Sequence, residues 1–233
     1  SRRTGYSWAA AAVAVFVSSP AENAQNTYYM GYDYEMAREF IQYVGEWAKK
    51  IGEACSEAEE YIFKDPDNPD KDIKAFRVTF ANGKEVVALP SVARALRGKQ
   101  GFVIIDEAAF HDDLKEVLKA AFALLIWGGQ VLIISTHNGE DNPFNDLIKD
   151  IRAGKSPYKL LRCTFDDALR QGLYKRICQK QGKEWSQAAE DQWKADIYKF
   201  YGDSAAEELD CIPANGSGNY FSRLIVEQCM QPD

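Results

Sequence analysis

Phe102-Val103-Ile104-Ile105-Asp106-Glu107-Ala108-Ala109-Phe110 is the stretch on which the reading of this 233-residue chain turns. Four apolar residues run without a break into two adjacent acids. A short unbroken apolar run reads as a strand buried on both faces, as in a parallel sheet. Carboxylates at the exit of such a strand are costly to bury unpaired, so they normally hold a cation or act on a substrate. The plainer alternative is a strand exit that carries a solvated helix cap. Asp106 and Glu107 alone leave both readings open.

The neighbouring sequence extends the pattern. His111-Asp112-Asp113 reads as a helix cap, followed by a helix from Leu114 to Trp127 that Gly128-Gly129 ends. Gln130 to His137 reads as a second buried strand, and it too ends in polar residues, Ser135 and Thr136. Strand, helix, strand, helix is a parallel doubly wound order, in which ligands gather at the carboxyl ends of the strands. Ser135 and Thr136 are then expected on the same edge as Asp106 and Glu107.

Upstream, Asn26 to Asp33 reads as a strand ending at an acid, and Tyr34 to Ile51 as an amphipathic helix. Met36, Phe40, Tyr43, Val44 and Trp47 supply its core face. Residues 64 to 72 form a polar loop with two prolines. Asn82-Gly83 between Phe76–Phe80 and Glu85–Leu89 is a strong hairpin signal. Downstream, Asn142 to Ile151 reads as a short helix and Tyr158 to Phe165 as a strand. Helices are expected over 166–180 and 186–202, and a turn-rich tail follows.

Length allows one large α/β domain, alone or with a small appendage. With 46% hydrophobic and 27% charged residues the composition is that of an ordinary globular protein. A formal charge of -7 offers no global basic field, so any nucleic-acid contact needs a local patch. The five cysteines contain no C-x-x-C pair, which argues against a zinc site and a disulfide scaffold and favours a reducing compartment. The apolar run Ala9 to Val17 is too short to span a bilayer. A first residue of Ser1 rather than Met suggests a piece of something longer.

The candidate chemistry is phosphate transfer. In ATPases of that kind an apolar strand ending in Asp-Glu is the Walker B arrangement: the Asp holds Mg²⁺ and the Glu polarises the attacking water. Gly5 and Ser7, followed by an Ala-rich helix, look like the end of a phosphate-binding loop, where backbone N–H groups and a helix N-terminus meet phosphate. The usual ending is Gly-Lys-Ser/Thr. Here Tyr6 stands in the Lys position, and Arg2 or Arg3 could supply the charge instead. Ser7 is placed to put its hydroxyl on Mg²⁺. Arg94 and Arg97 precede the central strand. They suit solvated loop charge, and Arg97-Gly98 also suits an arginine finger.

Ser1-Arg2-Arg3-Thr4-Gly5-Tyr6-Ser7, Val103 to Phe110 and Leu132 to Thr136 follow one another in that order. Together they resemble the ATPase half of the large terminase subunit of tailed bacteriophages, nearest its Mu-like branch. Leu96-Arg97-Gly98 is similar to the segment carrying that family's arginine finger, and Phe200 to Pro213 to its lid segment. The resemblance covers nearly the whole chain. It implies a RecA-like (ASCE-type) P-loop NTPase, with a mainly parallel central sheet flanked by helices and a small lid subdomain. Residues 1–165 would form the NTPase core, lacking its first strand and the start of its loop. Residues 166–233 would form a helical lid and linker leading to a nuclease domain outside this chain.

The resemblance further implies an ATPase using ATP and Mg²⁺ to drive double-stranded DNA into a procapsid. Portal protein and small terminase subunit would be partners, and the subunits would assemble as a homo-oligomeric ring in the host cytoplasm, with no membrane involved. By residue, Asp106 and Ser7 would hold Mg²⁺ and Glu107 would activate water. Arg2, Arg3, Gly5 and Tyr6 would contact phosphate, Ser135 and Thr136 would sense the γ-phosphate, and Arg97 would be the finger. Two other readings compete: another RecA-like nucleic-acid motor such as a helicase, and a non-catalytic nucleotide-binding assembly module. Residues 140 to 233 are too short and irregular for a helicase's second motor domain.

Overall fold

The computed structural model describes residues 4–64 and 72–214. These fall into two compact units, one of residues Gly5–Ser135 and one from Thr136 onward. Arg2, Arg3, most of the two-proline loop and the end of the tail lie outside the described residues.

The first unit is a mixed sheet with helices. Its elements in chain order are α1 (Tyr6–Ser18), β1 (Thr27–Met30), α2 (Tyr34–Ile51), β2 (Glu59–Lys64), β3 (Asp72–Thr79), β4 (Glu85–Leu89), β5 (Phe102–Ile105), α3 (Leu114–Ala123) and β6 (Gln130–Ile133). The strand order is β2-β3-β4-β1-β5-β6. β4, β1, β5 and β6 run parallel, while β2 and β3 join antiparallel. The hairpin expected at Asn82-Gly83 is present: Phe80 N–H bonds Lys84 O at 2.8 Å, and Gly83 takes the left-handed φ of 78° that the turn requires. β2 was not anticipated. Its side of the sheet is polar, with Arg77 paired to Glu59 and Glu85.

Every residue of β1 and β5 is buried, as the unbroken apolar run of β5 requires. β6 is not the buried strand expected: it lies at the sheet edge, with Gln130 exposed and the rest half-buried. Gly101, immediately before β5, has no room for a side chain. A Cβ there would sit 2.1 Å from the Asn26 carbonyl, which accepts the Phe102 N–H. The helices cover the sheet with small and aromatic side chains. Ala10, Ala11, Ala14 and Val15 of α1 are buried, so the helix approaches closely. α2 buries Ala37, Phe40, Ile41, Val44 and Ala48, a helical spacing. Tyr43 and Trp47 are half-buried and pack on Trp8, with the Trp47 indole N–H donating to Trp8 O at 2.9 Å.

The second unit is helical: α4 (Pro143–Arg152), α5 (Phe165–Arg170), α6 (Leu173–Gln181), α7 (Gln187–Tyr201) and α8 (Ala205–Glu208). Its core joins Phe165, Leu169 and Leu209, with Leu173, Tyr174, Trp193, Ile197 and Tyr198 against them. Two expectations are corrected here. Tyr158 to Phe165 is not a strand. Its adjacent leucines, Leu160 and Leu161, are both exposed, and a capping box between Thr164 and Asp167 turns Phe165 into the first residue of α5. The helix expected over 166–180 is also broken, because Gly172 adopts a φ of 91° between α5 and α6. The Glu207 carboxylate ties the loop after β6 to the tail, accepting the N–H groups of Gly139 at 2.7 Å and Ala214 at 3.0 Å. Among the described residues, no helix is long and apolar enough to cross a membrane.

Candidate functional site

Asp106 leaves β5 at the carboxyl edge of the sheet, beside the ends of β1 and, one strand further, β4. The register pairs Ile105 with Met30, and Met30 with Leu89. The Asp106 N–H continues the ladder to Met30 O at 2.9 Å. The side chain is only 2% exposed, yet both oxygens are engaged. Oδ2 accepts from the Tyr29 hydroxyl at 3.1 Å, and Oδ1 accepts from the Glu107 N–H at 3.0 Å. The Ser7 hydroxyl also bonds this carboxylate. Burial raises the pKa of Asp106, against the downward pull of the bonds from Ser7, Tyr29 and the Glu107 N–H.

The structure separates the two readings of strand-end acids. Asp33, the acid after β1, is a cap: it accepts the Met36 N–H at 2.8 Å at the start of α2. For α3 the cap is Asp113, which accepts the Glu116 N–H. Asp106 caps no helix of the described chain, because its oxygens serve Tyr29, Ser7 and the next residue.

Glu107 follows in the left-handed region, with φ 50° and ψ 44°. For a residue with a Cβ this costs about 1–2 kcal/mol, and such strain persists only where the surroundings over-determine it. They do so here. The next two N–H groups are anchored on the β6 side, Ala108 to Ile134 O at 3.1 Å and Ala109 to the Ser135 hydroxyl at 3.0 Å. Glu107 is half-buried at the head of this turn.

Ser7 lies in the first turn of α1. Gly5 precedes the helix at φ 88°, has no side chain with which to cap it, and leaves the first-turn N–H groups for another acceptor. Its own carbonyl accepts the Ala9 N–H at 2.9 Å. Tyr6 is half-buried at the first helical position. The structure thus brings Gly5, Tyr6, Ser7, Asp106, Glu107 and Ser135 into one unit, with Ser7 bonded to Asp106 and Ser135 to the turn after Glu107.

Arg97 stands differently. It is exposed, on the chain leading into the amino end of β5, while Asp106 leaves the carboxyl end. Thr136 belongs to the second unit, where it is buried and its Oγ1 has no hydrogen-bond partner among the described residues.

Three residues of the site escaped the sequence reading: Tyr29, Ser91 and His111. His111 is buried, with Nε2 2.9 Å from the Asp106 carbonyl and Nδ1 2.5 Å from the Ser91 hydroxyl. Burial lowers its pKa, against the upward pull of Asp106. No spacing rule links Tyr29 to Asp106 or Ser91 to His111, because only the fold brings each pair together. His111, five residues after Asp106, was legible only as part of a cap.

A RecA-like α/β unit carrying a helix N-terminus and a hydroxyl-bonded aspartate at one sheet edge defines the class of protein. The chain belongs to the family described as terminase large subunit, T4likevirus-type, N-terminal, whose model matches residues 1–228. It is 46% identical to Mu-like prophage FluMu protein gp28 of Haemophilus influenzae over 232 residues, covering 98% of this chain and 45% of that one. It is 43% identical to the probable terminase, large subunit gp28 of Escherichia phage Mu, covering 100% of this chain and 43% of the relative. The chain therefore spans somewhat under half the length of these relatives. In fold it resembles the large terminase of a thermophilic bacteriophage solved with ADP, at TM-score 0.59 and 17% identity over 91% of this chain and 46% of that one. It likewise resembles the HK97 bacteriophage large terminase, at TM-score 0.55 and 15% identity over 98% and 48%.

Proposed function

We propose that this chain is the ATP-hydrolysing motor domain of a viral DNA-packaging terminase, coupling hydrolysis to translocation of double-stranded DNA into the procapsid. The observation that carries the reading is the Ser7–Asp106 pair beside Glu107, at the carboxyl edge of a terminase-family sheet. A carboxylate and a hydroxyl are hard oxygen ligands, the donor set that suits Mg²⁺. When bound, Mg²⁺ would neutralise charge on the phosphates.

The chain's own residues supply the rest. Gly5 opens the backbone turn, and the uncapped first turn of α1, with Tyr6, presents N–H groups to phosphate. Arg2 and Arg3, next to this turn in sequence, add positive charge. Glu107 orients the attacking water and draws on its proton. Arg97, exposed on the chain leading into β5, would stabilise transition-state charge as a finger. Ser135 and Thr136 sense the γ-phosphate. Ser135 already bonds the turn that carries Glu107, so a change at the phosphate would pass directly to the catalytic strand. The supporting observation for Thr136 is its buried hydroxyl without a described partner.

Double-stranded DNA, portal protein and small terminase subunit are the partners this reading assigns, in a homo-oligomeric ring in the host cytoplasm. The nuclease belongs to a separate domain. The test is ATP turnover by the full-length subunit as wild type, Glu107→Gln and Asp106→Ala. Both variants should lose hydrolysis by about 10²-fold or more. Equal rates in all three overturn the motor reading. Arg97→Ala should lower turnover far more than nucleotide affinity, and the opposite pattern removes the finger.

A further inference from the structure

The Asp106–Glu107 peptide is gripped at both ends. Its N–H donates to Asp106 Oδ1 at 3.0 Å, and its carbonyl oxygen lies 2.9 Å from His111 Nε2. A carbonyl can only accept, so Nε2 carries the hydrogen. In a neutral ring Nδ1 is then an acceptor, and the Ser91 hydroxyl, 2.5 Å away at the end of β4, donates to it. Ser91 therefore fixes the tautomer and plane of His111, and His111 fixes the carbonyl. This peptide's orientation sets φ of Glu107, which is held at 50° in the left-handed region.

Without the brace, the turn keeps its anchors at Ala108 and Ala109. The peptide before Glu107 then keeps only its N–H bond to Asp106 Oδ1, and with the carbonyl end released Glu107 can relax toward ordinary backbone angles. That relaxation would swing its carboxylate away from where the strained turn directs it.

We propose that His111, oriented by Ser91, is a positioning residue that holds the Asp106–Glu107 peptide and so aims the water-activating carboxylate. The proposal rests on the ATPase reading of Glu107. It differs from a packing role in a specific way: the brace acts on Glu107, not on the phosphate-binding turn before α1. Loss of the brace should therefore lower kcat and spare nucleotide affinity.

The experiment uses the full-length subunit, with ATP turnover, nucleotide affinity and thermal unfolding measured together. His111→Ala should reduce kcat about tenfold or more, since misplacing a catalytic group by about 1 Å can cost 10²-fold. Nucleotide Kd should stay within about twofold of wild type. His111→Gln should recover most of the lost kcat, because the glutamine amide nitrogen occupies the same distance along the side chain and can donate to the same carbonyl. Ser91→Ala, which leaves His111 in place but unoriented, should fall between the two, and it carries the test if His111→Ala does not fold.

Full kcat in folded His111→Ala or in Ser91→Ala overturns the proposal. So does a loss of nucleotide affinity matching the loss of kcat, or a folded His111→Gln no more active than His111→Ala. Glu107→Gln run alongside separates the two levels. If it hydrolyses ATP like wild type, the ATPase reading itself fails. If it is inactive while His111→Ala is fully active, only the brace fails.

Discussion

Tyr29 donates its hydroxyl to Oδ2 of Asp106 at 3.1 Å, from the parallel strand alongside. Burial first, then the charge of Asp106, pushes the phenol's own pKa upward, so Tyr29 remains a donor at neutral pH. Its ring stacks on Phe40 at 3.7 Å between centroids, and a Cβ at Gly31 would come within 2.9 Å of it. The hydroxyl is therefore delivered by a ring with little freedom to move. Tyr29→Phe keeps the ring and removes the donor from a buried carboxylate. It should lower stability by about 1.5–3 kcal/mol, the range for a hydrogen bond to a charged group. Denaturant unfolding at neutral pH measures this, and an unchanged midpoint would show that Tyr29 contributes nothing to Asp106.

Glu107 offers a prediction in the opposite direction. Its left-handed backbone is a cost borne by the fold. Asparagine tolerates that region well. Glu107→Asn should therefore be more stable than Glu107→Gln, by up to about 1 kcal/mol, while both lose hydrolysis. Glu107→Gln should lose hydrolysis without gaining stability. If Glu107→Asn unfolds earlier than Glu107→Gln, the strain is not borne at this residue.

Two glycines separate close approach from backbone preference. At Gly83 the φ is 78° but nothing lies within 4 Å of a Cβ, so Gly83→Ala pays only for its dihedral, about 1–2 kcal/mol. At Gly101 the φ is 144° and the Asn26 carbonyl blocks a Cβ at 2.1 Å. Gly101→Ala must force β1 and β5 apart at their amino ends, and should cost about 3 kcal/mol or more. Thermal unfolding of the two variants side by side is the measurement, and equal losses would contradict the geometry.

The middle of the parallel sheet was legible because β5 is buried on both faces. Phe102 to Ile105 announces itself as an unbroken apolar run, and Val131 to Ile134 does the same although β6 is a half-buried edge strand. Asn82-Gly83 announces a turn through backbone chemistry alone. Asp106 and Glu107 were legible because adjacent acids after such a run are chemically conspicuous. Ser91, His111 and Tyr29 were not. Tyr29 and His111 reach Asp106, and Ser91 reaches His111, through strand register and the fold of the β4–β5 crossover, which no local period encodes. Tyr158 to Phe165 misled because basic and apolar residues alternate there as they would in a strand. The capping box at Thr164, a local signal of equal weight, decides for a helix.

That capping box also sets a pH dependence. Asp167 accepts the backbone N–H of Thr164 at 2.9 Å and its hydroxyl at 2.7 Å, while Thr164 Oγ1 accepts the Asp167 N–H at 3.1 Å. Arg170 bonds the other carboxylate oxygen. These contacts, the Thr164 N–H foremost, hold the Asp167 pKa down to about 2. In an unfolded chain an aspartate titrates near 3.9. A carboxyl with a lowered pKa in the fold contributes stability that is complete above the unfolded value and disappears as pH falls through the folded one. The protection of α5 should therefore hold from neutral pH to about 5, weaken through about 4, and lose the Asp167 contribution near 2. Asp167→Asn should reduce hydrogen-exchange protection of α5 amides at pH 7 and flatten its dependence across that window. Near pH 2 the variant and wild type should converge. Parallel curves at all pH values would mean that the carboxylate does not hold the start of α5.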